Sequence, residues 1–222
     1  MKNWIIPILF FVVSIASLGK QTFAQTLNIT SGGQPTITGA LNGSVTGTSD
    51  VTQNLTVTIN FGEVSAANTN NIVKVVVPLA IRSREPYMVT VAYTGSTNLN
   101  AQALQKTDIG FGVNNLRAMG TQSQVCTNSN HIFYSPFNND PSTNVTINSA
   151  GRAAYPSTLN NIGSSTVILS GPRLTHNSNN IPQTNDAYIF DAIFAITPQY
   201  YAAGLSTASL TFTISSGPNV PC

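Results

Sequence analysis

Apolar and polar side chains alternate with a period of two over much of the chain. The alternating runs are rich in Thr, Val, Ile, Tyr and Phe, which suit a pleated, half-buried surface. From Asn54 to Phe61, Leu55, Val57, Ile59 and Phe61 share one face, while Thr56, Thr58 and Asn60 share the other. Tyr87, Val89, Val91 and Tyr93 alternate in the same way, and Leu210, Phe212 and Ile214 alternate with Thr211 and Thr213. Ile72 to Val77 is divided by Pro78 from Leu79-Ala80-Ile81-Arg82. Proline cannot donate to a ladder, so an edge strand or a bulge is expected there. Shorter strand-like runs occupy Ile109–Val113, Ile132–Tyr134, Val145–Ile147 and Val167–Leu169. Ala187 to Ile196 is apolar almost throughout, the pattern of a central strand covered on both faces.

Turn-forming stretches separate these runs, among them Ser31–Pro35, Asn42-Gly43, Asn68–Asn71, Gly95–Asn100, Phe137–Ser142 and Asn177–Asn185. No segment carries a helical period for more than about two turns; the best are Asn100–Lys106 and Pro198–Ala203. The fold expected is all-β, an antiparallel immunoglobulin-like (pilin-like) β-sandwich of about eight to ten strands. Residues 25–222 show no linker, repeat or shift of composition, so they are expected to form a single β-sandwich domain, with 114–165 as its least regular part.

The first 24 residues stand apart. A short cationic start at Lys2 is followed by an apolar run from Trp4 to Leu18 and by Thr22-Phe23-Ala24, the small-residue pattern of a signal-peptide cleavage site. The run is shorter than a bilayer requires and no basic stop-transfer cluster follows it. The reading is a cleaved signal peptide over 1–24 and a product that is secreted, periplasmic or at the cell surface, with no membrane span. Two cysteines remain, Cys126 and Cys222. In an oxidising compartment such a pair is expected to close a disulfide. Reactive thiols are the alternative, without a Cys-x-x-Cys or a nearby His–Cys arrangement to support it; intermolecular pairing is the other.

Charge narrows the function. Only 7% of the chain is charged. Beyond residue 24, seven cations face seven acids, so neither nucleic acid nor an anionic lipid surface has a basic field to meet. Amides and hydroxyls must coat the surface instead, and this part holds 24 Asn and 26 Thr. His131 and His176 have no metal-binding spacing, and no Gly-x-Ser-x-Gly elbow is present. Asp186 and Asp191 fall on opposite faces of a regular strand, a poor arrangement for paired carboxylates. The loops Asn138-Asn139-Asp140 and Asn179-Asn180 with Asn185-Asp186 offer oxygen ligands for calcium, but polar turn chemistry explains the same residues without an ion and is the preferred reading. Gly110-Phe111-Gly112 is too short to cradle phosphate and reads as strand glycine beside a packed neighbour. No catalytic residue, cofactor or metal is expected. The aromatics Tyr200 and Tyr201 are the candidate ligand contacts, with Tyr134, Phe137 and Tyr155 as further platforms for a glycan. Lys74, in mid-strand, and Lys106 are the only lysines available for a Lys–Asn crosslink. Asn28, Asn42, Asn54 and Asn144 head formal glycosylation acceptors, which an Asn- and Thr-rich chain also produces by chance.

The C-terminal third carries a resemblance. Asp186 to Tyr200, then Ala202-Ala203-Gly204, then Ser209 to Ile214 resembles the last two strands of bacterial pilins and spore-coat-U-like secreted proteins. The resemblance spans about 30 residues. It departs from the family in the extra tail Gly217–Cys222 and in lacking a cysteine near residue 25. It implies an immunoglobulin-like subunit that polymerises by donating an N-terminal strand, with Leu27 and Ile29 in the candidate donor Thr26–Thr30. The plainer alternative is that Thr26–Thr30 is the first strand of its own sheet. Two functions follow as expectations. One is an exported, non-enzymatic structural or adhesive surface protein, fimbrial in type, that partners copies of itself or related subunits. The other is an extracellular module that binds carbohydrate or a host or cell-surface protein.

Overall fold

The almost wholly apolar run at 187–196 becomes a strand paired along both of its edges. In the computed structural model, which describes residues 27–39, 42–48, 50–62, 72–93, 105–119, 130–147, 149, 152–174, 187–197 and 207–221, Ala187–Ile196 is a strand with all ten residues buried. It lies between Val73–Ser83 and Ile109–Met119. In chain order the strands are β1 (Leu27–Ser31), β2 (Thr36–Thr38), β3 (Ser44–Thr46), β4 (Asn54–Asn60), β5 (Val73–Ser83), β6 (Tyr87–Tyr93), β7 (Ile109–Met119), β8 (Ile132–Phe133), β9 (Thr146–Ile147), β10 (Ala153–Ala154), β11 (Thr166–Gly171), β12 (Ala187–Ile196) and β13 (Thr207–Ser216). Every pairing among them is antiparallel. Sheet I has the order β1-β5-β12-β7, with β2 following β1 along the same side of β5. Sheet II has the order β3-β4-β13-β6-β11-β8, and β9 and β10 form a separate hairpin.

The two large sheets pack as a sandwich-like arrangement. Leu55, Val57 and Ile59 of β4, Val89 and Val91 of β6, and Leu210 and Phe212 of β13 meet Val75, Val77, Leu79 and Ile81 of β5 and Phe190 and Phe194 of β12 in one core, each fully buried. Phe194 packs between Phe111 (ring centroids 5.2 Å apart) and Phe61 (6.4 Å), which ties strands of both sheets together. Ile29 of β1 also exchanges two backbone hydrogen bonds with Thr52, just ahead of β4. That bridge stitches sheet I to sheet II on one side.

Two expectations need correction. Pro78 sits neither on an edge strand nor at a break, because β5 runs through it as one strand of 11 residues. Its carbonyl accepts from Gly32 N (2.9 Å). The C=O and N–H of one strand residue point the same way, so the missing N–H faces the gap where β1 has ended and β2 has not begun. The segment from 114 is not irregular at its start, since β7 continues to Met119. The helical turn expected at Asn100–Lys106 lies mostly outside the described residues; at its end the chain makes a 3-10 turn, Lys106–Asp108. The signal-peptide segment 1–24 and the turn expected at Pro198–Ala203 lie outside the described residues.

Candidate functional site

Sheet I has a second cover on its outer face. The described residues between 136 and 158 lie across it, and Gly110 and Gly112 of β7 let them approach. A Cβ on Gly110 would come within 2.7 Å of both Tyr155 and Pro141, and one on Gly112 would lie 2.2 Å from the Asn139 carbonyl oxygen. The cover also satisfies the free edge of β7. Phe111 N donates to Ser157 O (3.1 Å), Val113 N to Phe137 O (2.7 Å), and Ser157 Oγ donates to Phe111 O (2.5 Å). An exposed strand edge invites pairing with another chain, so this capping closes one route to aggregation. Gly110-Phe111-Gly112 is therefore strand glycine under a packed neighbour.

Ion pairs pin the cover and shape the same face. Lys74 Nζ reaches Asp140 Oδ2 at 2.6 Å. Burial works to raise the Asp140 carboxyl, but hydrogen bonds from Lys74 and Ser142 and the Lys74 charge outweigh it and hold the group below its ordinary value. Arg152 grips buried Asp108 with two nitrogens, Nε at 3.1 Å and the closer Nη2. Tyr155 OH shares a hydrogen bond with Thr197 Oγ1 (2.9 Å) and accepts from Thr197 N (2.8 Å). At a β-bulge in β7, Asn115 takes a left-handed φ of 55°. Its Nδ2 donates to Asp191 Oδ2 (2.6 Å), and Arg117 Nη1 lies 2.9 Å from Asp191 Oδ1. Bulges re-aim side chains, and this one lets Asn115 and Arg117 converge on one carboxylate. These carboxylates are tied into structure. A Lys–Asn bond at Lys74 has no asparagine in this pairing, and the Asp140 oxygens of the proposed calcium loop are bonded to Lys74 and Ser142. Among the described residues no group of three or more His, Cys, Asp or Glu could hold a metal.

The outer face of sheet II is different in kind. Strands β3, β4, β6 and β13 contain no ionisable group other than the tyrosines that end β6. Register aligns their outward side chains in rows: Ser44, Asn60 and Thr207; Thr46, Thr58 and Ser209; Thr56, Thr211 and Ala92; Asn54, Thr213 and Thr90. Hydroxyls bond across the strands, Thr56 to Thr211 at 2.7 Å, Thr58 to Ser209 at 2.9 Å, and Thr213 to the Asn54 side-chain oxygen at 2.9 Å. Sheet geometry spaces the rows by about 6.8 Å along the strands and the columns by about 4.8 Å. The sequence signal for this face was the threonine at alternate positions; the rows needed the pairing register.

The predicted residues are distributed as follows. Leu27 and Ile29 are buried in β1, which pairs with β5 of its own chain. His131 is half-buried, its ring 4.6 Å from that of Tyr188 and 5.9 Å from that of Tyr87. Of the glycan platforms, Phe137 is core and the Tyr155 hydroxyl is bonded to Thr197, while Tyr134 OH lies 3.1 Å from Ser170 Oγ. Asn28 is 8% exposed within β1, so its acceptor motif is covered in the folded chain; Asn42, Asn54 and Asn144 are exposed. Cys126, Cys222, Tyr200, Tyr201, His176, Asp186 and the 179–180 part of the second calcium loop lie outside the described residues.

Fold and face together define an all-antiparallel, sandwich-like protein with a covered outer face on sheet I and outward rows of hydroxyls and amides on β3, β4 and β13 of sheet II. No family model, no curated protein and no solved structure matches the chain. Among the described residues no helix is long and apolar enough to cross a membrane.

Proposed function

We propose that this chain is an exported, non-enzymatic structural or adhesive surface protein with a pilin-like, immunoglobulin-like sandwich, and that it makes its contacts through the outer face of sheet II. The observation that carries the reading is the composition of that face: four rows of Thr, Ser and Asn across β3, β4 and β13, with no charged side chain among them. A surface of hydroxyls and amides offers many weak hydrogen bonds to a polar, uncharged partner, and salt does not screen them as it screens ion pairs. The placement of Leu27 and Ile29 in β1 favours a subunit complete in itself over one that donates this strand to a neighbour.

The test is retention of the purified protein on washed envelopes of the producing cells. Retention is expected to change little between low salt and about 1 M salt, where the Debye length is ~3 Å. Thr56→Lys places a charge in the middle of the face at an exposed position. It is expected to abolish retention and, because it removes the hydroxyl bond to Thr211, to cost about 1 kcal/mol of stability without unfolding the chain. Retention that collapses with salt, or that survives Thr56→Lys unchanged, would refute the assignment of this face.

A further inference from the structure

We propose that Lys74 and the Asp140–Pro141 peptide bond form a self-processing site, in which the chain breaks after Asp140 and Lys74 captures the released acyl group as an amide. The reacting groups are gathered at that bond. Asp140 Oδ1 accepts from Ser142 N (2.9 Å) and Ser142 Oγ (2.6 Å), which lie beyond the bond, so the carboxylate is folded back across it. The carbonyl oxygen of the same bond, Asp140 O, accepts from Thr143 N (3.2 Å), Thr143 Oγ1 (3.0 Å) and Asn144 Nδ2 (3.3 Å). Lys74 Nζ stands 2.6 Å from Asp140 Oδ2. A turn begun by Asp-Pro accounts for the Ser142 N and Thr143 N bonds. It does not call for the side chains of Thr143 and Asn144, which aim two more donors at the oxygen where negative charge develops in acyl transfer. Nor does it call for an amine from β5 on the carboxylate. Pro141 supplies the leaving group: its peptide is a tertiary amide, and its nitrogen departs as a basic secondary amine. The ring is buried on β7, where a Cβ on Gly110 or Gly112 would crowd it.

The step balances without a co-reactant. An oxygen of the Asp140 carboxylate attacks the main-chain carbonyl carbon of the same residue and closes a cyclic anhydride. The bond to Pro141 N breaks, and the nitrogen leaves with a proton from the Lys74 ammonium. Lysine, now a neutral amine held beside its target, attacks Cγ of the anhydride. A Cγ–Nζ amide forms, the anhydride opens to leave a free α-carboxylate on Asp140, and the proton shed by Nζ completes the Pro141 ammonium. No water is consumed and the chain keeps its mass. Both new ends stay in place, because Asn139 Nδ2 donates to Ser157 Oγ (2.9 Å) on one side and Pro141 packs on β7 on the other. An ion pair between β5 and the cover thereby becomes a covalent bond, and the number of amide bonds is conserved.

The test follows the purified full chain over days at neutral pH. Peptide mapping after amine labelling is expected to show a new N-terminus at Pro141 and a branched peptide in which Asp140 acylates Lys74 Nζ, with the mass of the chain unchanged. Lys74→Arg keeps a cation on Asp140 but offers no nucleophile. Solvent then supplies the proton and opens the anhydride, so this variant is expected to separate into two fragments on a denaturing gel. Asp140→Asn is expected to stay whole. Asn144→Ala, at an exposed position, is expected to slow the wild-type reaction about tenfold by removing one donor from the Asp140 carbonyl. The outer face of sheet II takes no part in the reaction, so the crosslink and retention on envelopes stand or fall separately. If a variant does not fold, the wild-type map decides alone. Wild-type protein that stays uncleaved, or that falls into two fragments without the Lys74–Asp140 link, would overturn the proposal, and so would processing that persists in Asp140→Asn.

Discussion

Substituting one glycine tests whether the described residues between 136 and 158 are a true third layer. In Gly112→Ala the new methyl group would start 2.2 Å from Asn139 O, 3.0 Å from the Asn139 carbonyl carbon and 3.1 Å from Pro141 Cδ. The first contact is with backbone, so no rotamer change relieves it, and the cover must move outward by about 1 Å to reach ordinary contact distance. Overpacking of this kind costs about 1–3 kcal/mol. The shift also strains Val113 N→Phe137 O, whose loss adds about 1 kcal/mol. Against this, alanine restricts the unfolded chain and returns about 0.4–1 kcal/mol. The net expectation is a loss of roughly 2–3 kcal/mol. Gly163→Ala is the internal control: its Cβ meets only Thr166 Oγ1 at 3.7 Å, so the change should be neutral or slightly stabilising. Urea denaturation of both variants gives the difference, and hydrogen exchange at Phe111 and Val113 shows whether the edge of β7 has been uncovered. A Gly112→Ala protein as stable as the Gly163→Ala control, with Val113 still protected, would refute the covering layer.

Two further outcomes follow from titrating groups. Asp140 is held below its ordinary value of 3.8, so as acid is added the unfolded chain takes up this proton before the folded one. Its contribution is complete above about pH 4 and fades as pH falls through the lower, folded value. Asp140→Asn should flatten that part of the pH–stability curve and cost about 1 kcal/mol at neutral pH, since both partners of the pair are partly exposed. At the alkaline end, burial raises Tyr93 and Tyr188; it also raises Tyr87, with a further push from Tyr188, and Tyr155, where the Asp108 charge adds to burial and bonds from Thr197 only partly offset it. Raised phenols stabilise the fold fully below about pH 10, and that stability is lost as pH climbs through the folded values. Phenolate absorbance from these tyrosines should appear together with loss of the β-sheet circular dichroism; smooth ionisation near pH 10 in folded protein would refute their burial.

The strands were legible because period two is a local signal. Asn54–Asn60, Tyr87–Tyr93 and Ala187–Ile196 fall where alternation or unbroken apolarity placed them. Pro78 misled because the sequence shows that a donor is missing, but not which side of the strand lacks a neighbour. The short strands Thr36–Thr38 and Ser44–Thr46 carry too few residues for a period to emerge. Asn115 looked like one more amide in a polar stretch, yet its left-handed backbone makes the bulge that brings Arg117 and Asp191 together. Such meetings depend on register, which no single segment encodes.

Scarce charge and the uncharged face are one arrangement seen from two sides. Of the acids in the described residues, Asp108, Asp140 and Asp191 each hold a cation; the Asp108 and Asp140 pairs tie down the cover of sheet I, and the Asp191 pair joins β12 to β7 at the bulge. Glu85 accepts from Ser216 Oγ (2.6 Å) beside the tail. Two of these pairs thus hold down loops, where the loss of conformational entropy is opposed only by modest burial. Sheet II needs no such help, because its strands are ordered by ladder bonds and by the shared core. Its outer side chains are free of that structural duty, and what stands there is hydroxyl and amide throughout β3, β4 and β13. A face whose makeup the fold does not require is the one on which a contact surface is best sought.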